Sequence, residues 1–262
     1  MSGLSLVTGA SSGFGRALAL ELARRRRPVL LLARNAGRLG QACAEAQALG
    51  VEATPVTADV RDGDAVRAAV TEALRGRPLD AVVHAAGVLA LAPAAQAPAD
   101  DLRRLLDVNV VGTHEVVRAV LPLLERSRGS LALVSSIAGI MALPGGFSAY
   151  AASKWGVRGW AECLRTELVD RGVTLTLAYP SILDTPMLEH LGPGAPAVYR
   201  VFKWHDPEKA ASRLLDDVDR GRRESYTTRG DRVSAGLARA FPGAFGVVLD
   251  ILRRLRDRGP AA

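Results

Sequence analysis

Lysine is nearly missing from this 262-residue chain: three of its 34 basic residues are lysines (Lys154, Lys203 and Lys209), and the rest are arginines. Cysteine is as scarce. Cys43 and Cys163 stand far apart in stretches that read as helix, which excludes a disulfide framework or a thiolate metal site and leaves two buried thiols as the expectation. The four histidines, His84, His114, His190 and His205, lack any mutual spacing suited to a metal and read as ordinary polar residues. No apolar run is long enough to span a bilayer. No basic and apolar leader is visible either, because Leu4-Ser-Leu-Val7 runs straight into a glycine-rich turn; a cytoplasmic location is the expectation. Acid is in deficit, giving a formal charge of +7 and a pI of about 10.1. The arginines are spread along the chain instead of being gathered in one patch, so nucleic acid is not an expected partner.

What is present is ordinary for a globular domain: 48% hydrophobic and 23% charged residues. Ser5–Thr8 is β-rich and leads into Gly9-Ala-Ser11-Ser12-Gly13-Phe14-Gly15, after which an alanine- and leucine-rich helix runs to Arg27. Strand, glycine turn and helix are the context in which a backbone cradles phosphate. Gly9 can make the tight turn, Gly13 can admit a pyrophosphate and Gly15 can let the helix pack on the strand. The positive end of that helix would hold the phosphates. Pro28–Ala33 is a continuous apolar run, as in a buried parallel strand, and ends at Arg34-Asn35. A guanidinium at this strand end suits a ribose 2′-phosphate, with Ser11 and Ser12 as further donors and Arg38 as the other candidate for the contact. NADP(H) is thereby favoured over NAD(H).

Further along, helix 35–50, strand Val51–Thr57 leading to Asp59-Val60, helix Arg61–Arg75 and strand Leu79–Val83 leading to His84-Ala-Ala86-Gly87 alternate as parallel βαβ units. A long helix from Ala99 to Glu125 carries Asn109 in its middle, where a buried amide can bend the helix. Leu131–Val134 delivers Ser135-Ser136 to the carboxyl edge of the sheet, where open α/β folds bind ligands. The helix from Tyr150 to Arg171 brings Tyr150 and Lys154 onto one face, four residues apart. An ammonium beside a phenol favours the phenolate, so the pair suits proton transfer to or from an alcohol or carbonyl. Strand Val173–Ala178 ends at Tyr179-Pro180, helix Asp206–Gly221 follows, and Ser225–Thr228 reads as a last edge strand.

These residues together resemble the short-chain dehydrogenase/reductase family over about residues 4–190. The resemblance rests on Thr8-Gly9-x3-Gly13-x-Gly15, Asp59-Val60, Ala86-Gly87, Asn109, Ser136, Tyr150-x3-Lys154, and Pro180 with Thr185. It implies one Rossmann-type NAD(P)-binding domain over 1–262, a doubly wound parallel α/β sheet of about seven strands with helices on both faces. It also implies an oxidoreductase that interconverts a hydrophobic alcohol and its ketone or aldehyde. Tyr150 would be the acid–base residue. Lys154 would hold the nicotinamide ribose and lower the Tyr150 pKa, Ser136 would bind the reacting oxygen, and Asn109 would hold a water that links Lys154 to solvent. Asp59 and Val60 would face the adenine, Ala86 and Gly87 would line the cofactor groove, and Pro180, Leu183 and Thr185 would sit at the nicotinamide. Helices bearing Asn109 and Tyr150 would build a homodimer or homotetramer.

Departures from the family pattern are His84-Ala85 in place of two asparagines, Ser181 in place of glycine, and one extra residue between Ser136 and Tyr150. The hydrogen bonds that hold the turn after the fourth strand must therefore be made in another way. A lid over about 183–205, with Met187, Leu188, Tyr199, Phe202 and Trp204, is expected to line an apolar substrate site. The stretch 233–258 reads as a basic amphipathic helix, which can pack on the domain, on a partner subunit or peripherally on a membrane. The rival expectation is a protein that binds NADP(H) as a sensor or scaffold without turnover.

Overall fold

The computed structural model describes residues 3–189 and 203–243. Its first strand, β1 (Leu4–Thr8), and second, β2 (Val29–Ala33), are buried along their whole length. Strands apolar on both faces need a layer of helices above and below, and both layers are present. Leu6 and its alternate Leu4 belong to a core shared with α3 (Gly63–Leu74), α5 (Gly112–Ser127) and α6 (Ser148–Glu167). Val7 points the other way, into a core shared with α1 (Gly13–Arg24), α2 (Ala36–Ala48) and α8 (Pro207–Asp219).

Seven parallel strands run in the order β3-β2-β1-β4-β5-β6-β7, with β3 at Ala53–Thr57, β4 at Leu79–His84, β5 at Ser130–Val134, β6 at Thr174–Tyr179 and β7 at Glu224–Tyr226. The expected doubly wound sheet is borne out. Pro55 lies in β3, an edge strand, where its missing N–H is tolerated. The chain winds outward from β1 to β3, then returns to pair β4 with β1. That reversal opens a crevice at the carboxyl ends of β1 and β4.

Two elements and one side chain differ from expectation. The long helix expected over 99–125 is α4 (Ala99–Leu106), a π turn (Asp107–Val111) and α5, so the bend anticipated at Asn109 takes the form of a widened turn. The expected helix 233–258 instead begins as α9 at Arg229, where Thr228 and Asp231 form a capping box, and stops at Ala240. Phe241 leaves helical geometry at φ −134 because Pro242 disfavours it, and the part of that expectation from 244 to 258 lies outside the described residues. Cys43 is buried, but Cys163 is exposed on the outer face of α6, contrary to the reading of two buried thiols. A short helix, α7 (Pro186–Glu189), closes the described part of the expected lid. Among the described residues, no helix is long and apolar enough to cross a membrane.

Candidate active site

One cleft of about 1110 Å³ runs along the carboxyl edge of the sheet. Every candidate catalytic or cofactor-binding residue lines it except Asn109, which stands directly behind its wall, whereas Trp204, expected to line the substrate site, is not part of the lining. In its middle is the glycine loop, at the carboxyl end of β1 between β2 and β4. Gly9 has φ +69, and a Cβ there would lie 2.8 Å from the Ala86 backbone; a Cβ on Gly15 would lie 2.3 Å from the Gly9 carbonyl. Side chains are thus excluded from both positions by neighbouring backbone. Ser12 takes the N-cap position of α1 without capping it through its side chain, and no acidic residue occupies the first turn. Gly13, Phe14 and Gly15 line the cleft, so the donors at the positive end of α1 are open to an anion.

Beyond the loop lie Arg34, Asn35, Arg38, Asp59 and Val60. The Asn35 side chain caps α2 by accepting from the Arg38 amide at 2.9 Å. Asp59 receives a forked pair from Arg61, at 2.7 and 3.1 Å, and lies 3.9 Å from Arg34. The hydrogen bonds from Arg61, then its charge and that of Arg34, hold the Asp59 carboxyl below the usual range against the opposing effect of burial. Arg34 stays largely exposed, and Arg38 makes no ion pair among the described residues.

The opposite end gathers Ser136, Tyr150 and Lys154. Ser136 follows β5 by two residues with an extended backbone, and its hydroxyl accepts from the Ala138 amide at 3.2 Å. One helical turn separates Tyr150 from Lys154, whose ammonium is 5.8 Å from the phenol ring centre and donates to the Val134 carbonyl at 3.2 Å. Ser135, which the sequence left without a role, ties β5 to α6 by donating to the Lys154 carbonyl at 3.0 Å. Both ionisable groups are buried, with consequences that spacing alone did not reveal. The expected lowering of the Tyr150 pKa is not met: burial pushes the phenol up to about 12, and its hydrogen bond with Ser136 offsets only part of that rise. Burial brings Lys154 down to about 8.

Asn109 stands behind the catalytic group. Its side chain is tied on both atoms: Oδ1 accepts from the Val88 amide at 2.8 Å, and Nδ2 donates to the Val88 carbonyl and the Ser153 hydroxyl, each at 3.0 Å. Its two Nδ2 hydrogens are thus spent, and its main-chain carbonyl accepts from the Thr113 hydroxyl at 2.6 Å. His84, read as an ordinary polar residue, is fully buried between Thr8 and Thr113. Thr185 lies over the loop, its Cβ 3.3 Å from where a Gly13 Cβ would be, while Pro180 and Leu183 line the wall. Leu183 pairs with His205 as an isolated bridge that fastens the chain leaving β6.

Sequence reasoning missed the apolar wall of the substrate end. Val88, Leu89 and Leu91 line it together with Leu143, Phe147 and Ile182, while Asp101 and Arg104 add charge to the lining. The run Val88-Leu-Ala-Leu91 directly after the Ala86-Gly87 turn was the available signal. Met187 lines the cleft as expected, whereas the side chain of Leu188 and the lid from 190 to 202 lie outside the described residues.

The short chain dehydrogenase family model matches residues 4–195, which span the glycine loop, the Ser136–Tyr150–Lys154 group and the segment after β6. The chain belongs to the short-chain dehydrogenase family. Members of this family are oxidoreductases acting on carbonyl or hydroxyl groups, and the enzyme class follows from membership. An uncharacterised oxidoreductase from Myxococcus xanthus is 43% identical over 188 residues, 70% of this chain and 73% of that protein. A 3-dehydrosphinganine reductase from Arabidopsis thaliana is 37% identical over 188 residues, again 70% of this chain but 56% of that longer protein. Among solved structures, a short chain dehydrogenase from Mycobacterium paratuberculosis bound to NAD superposes with a TM-score of 0.73 at 26% identity, covering 82% of this chain and 90% of the other.

Proposed function

We propose that this short-chain dehydrogenase reduces the carbonyl of an elongated apolar ketone or aldehyde, with NADPH as the reductant. The observation that carries the reading is the Tyr150 phenol adjoining the Ser136 hydroxyl beside the apolar wall, and the reductase name of the Arabidopsis relative supports the direction. A group that holds its proton at neutral pH is an acid awaiting a base, and a carbonyl taking up hydride becomes that base.

The cleft fits a dinucleotide. Its glycines are needed for close approach, the first turn of α1 offers open donors, and Arg34 and Arg38 face the far end with little competing acid beyond Asp59. Glycine residues 9, 13 and 15 with Ser11, Ser12 and Phe14 would hold the pyrophosphate, and Arg34 the 2′-phosphate. Asn35, Asp59 and Val60 would border the adenosine, and Ala86, Gly87, Pro180, Leu183 and Thr185 the nicotinamide half. Bound NADPH supplies the hydride. Ser136 donates to the carbonyl oxygen where negative charge develops. Tyr150 gives its Oη proton to that oxygen, and the Lys154 ammonium stabilises the phenolate left behind. Asn109 fixes Val88 and, through Ser153 and the Tyr150 carbonyl, the start of α6.

Apolar residues on one side and the charged pair Asp101–Arg104 within the same lining suit a molecule with a long apolar part and a polar end. The name of the Arabidopsis relative makes 3-dehydrosphinganine the first compound to try. The test is NADPH oxidation by the purified protein with 3-dehydrosphinganine, other long-chain ketones and short ketones. Turnover should favour the long substrates, and Tyr150→Phe should lower kcat by about a thousandfold, within the range for removal of a general acid. Arg34→Ala should raise the KM for NADPH by about tenfold or more, the scale of one charge-assisted bond, and leave NADH nearly unchanged. Turnover indifferent to Tyr150→Phe would remove the mechanism. Tight NADPH binding without turnover on any substrate would favour the sensor or scaffold reading.

A further inference from the structure

The turn after β4 is held to the rest of the site by one directed chain of hydrogen bonds. The Ala86 amide donates to Thr8 Oγ1 at 3.2 Å; Thr8 Oγ1 is 2.8 Å from His84 Nδ1; His84 Nε2 is 3.1 Å from Thr113 Oγ1; and Thr113 Oγ1 donates to the Asn109 carbonyl at 2.6 Å. All four side chains are at most 3% exposed. The two ends settle where every proton sits. A backbone carbonyl can only accept, so the single Thr113 hydroxyl hydrogen is spent on Asn109. Thr113 must then accept from His84, which places the ring proton on Nε2. Nδ1 is left with a lone pair and takes the Thr8 hydroxyl hydrogen, and Thr8 in turn accepts from Ala86. No hydrogen in the chain is left without an acceptor.

The chain closes into a ring. The Asn109 side chain grips both the amide and the carbonyl of Val88, two residues beyond Ala86. Gly87 is enclosed between these grips, and a Cβ there would lie 3.1 Å from Asn109 Oδ1 and 3.4 Å from the Lys154 ammonium. Asn109 passes the order on through Ser153, whose hydroxyl donates to the Tyr150 carbonyl at 2.7 Å. A shift of the turn therefore moves Gly87 towards or away from Lys154.

We propose that His84 is a positioning residue: as the Nε2–H tautomer it joins the Ala86–Val88 turn to the Asn109 turn, and so sets the depth at which Lys154 meets a cofactor in the cleft. An imidazole suits this place because it accepts on one side and donates on the other across the gap between two threonines. Burial, with the Lys154 charge adding to it, lowers the His84 pKa to about 3, so the ring stays neutral at working pH.

The inference rests on the cleft being an NADPH site, and its test separates the two. NADPH affinity is measured by fluorescence titration for the wild type, His84→Phe, Thr113→Val and the double variant, together with the pH profile of turnover. Each single change should weaken NADPH binding by about tenfold, as expected for breaking one fully desolvated hydrogen-bond chain, and should displace the alkaline limb of the profile. The double variant should be no worse than about threefold beyond the poorer single, because both changes break one chain. Variants that melt earlier but bind NADPH and titrate like the wild type would overturn the role, as would additive losses. A wild type that does not bind NADPH would instead sink the reading of the cleft. Should His84→Phe not fold, Thr113→Val carries the binding measurement. Nitrogen-15 shifts of the wild-type His84 ring should then show the proton on Nε2 from pH 5 to 9; a proton on Nδ1, or titration within that interval, would overturn the proposal.

Discussion

Burial opposes charge on both members of the Tyr150–Lys154 pair, and each responds by moving towards its neutral form. For Lys154 this is a stability cost. Between pH 8 and the ordinary lysine value of 10.5 the folded chain binds fewer protons at this site than the unfolded one, so stability rises with pH across that interval and carries the full penalty below it. Lys154→Met keeps the length of the side chain and removes the charge. It should stabilise the fold at pH 7 by about 2 kcal/mol, the gross gain from that shift less the lost bond to the Val134 carbonyl. It should also flatten the rise in stability above pH 8 and abolish turnover. Chemical denaturation of the two proteins at pH 7 and pH 9.5 checks the sign, and a destabilised variant at pH 7 would contradict it. Turnover of the wild type should fall as pH passes about 8, where the ammonium is lost while the phenol keeps its proton. At this scale the spacing of four made the Tyr150–Lys154 pair legible, because a shared helical face follows from sequence alone. The direction of the Tyr150 shift was not legible, since it depends on how β5 and the chain after β4 cover the pair. For the same reason His84 could be recognised as a departure from the family pattern but not as a bridge.

Among the elements, three arginines sit where glycine is the cheaper choice. Arg26, Arg75 and Arg128 have φ of +60, +49 and +51 at or just past the ends of α1, α3 and α5. A side chain in this left-handed region costs about 1–2 kcal/mol. Arg75 is exposed and makes no ion pair among the described residues, so little offsets that cost. Arg75→Gly should therefore gain about 0.5–1 kcal/mol after the extra freedom it gives the unfolded chain. In a chain of this size that is a rise in Tm of roughly 1–4 °C, read by calorimetry. An unchanged or lower Tm would show that the Arg75 side chain has a stabilising contact of its own. Element identity was largely readable from apolar periodicity and from Gly-rich turns. The π turn was foreshadowed by a buried asparagine inside a helical pattern. The end of α9 was equally visible in Phe241-Pro242, but apolar spacing continued past it and overrode the proline, although the residue before a proline rarely stays helical.

For the whole molecule, one arrangement explains why residues scattered from Gly9 to Thr185 meet. All strands are parallel, so every carboxyl end lies on one edge, and the reversal beside β1 leaves a crevice there. Motifs at strand ends therefore fall along the cleft in sheet order, Asp59 and Arg34 before Gly9, then Ala86, Ser136 and Pro180, which is why the site was more legible than the substrate wall. Wall residues such as Leu143 and Phe147 come from loops whose path depends on packing, not on periodicity. The same molecule leaves apolar side chains uncovered on the outer side of α4, the π turn and α6: Leu102, Leu106, Val111 and Trp155 are 38–47% exposed. These elements carry Asn109 and Lys154 on their inner side. Large side chains exposed on neighbouring elements mark an association surface, and a second copy is the partner consistent with the expected dimer or tetramer. Sedimentation velocity at micromolar concentration should show a dimer or tetramer. Val111→Glu with Trp155→Glu should give monomers, because two carboxylates would have to be desolvated at the centre of the contact. Both positions are exposed within one chain, so the monomers should melt within a few degrees of the wild type. They should turn over more slowly, since the outer cover of the helix bearing Tyr150 and Lys154 is lost. A wild type that sediments as a monomer would remove this surface from the account without touching the cleft.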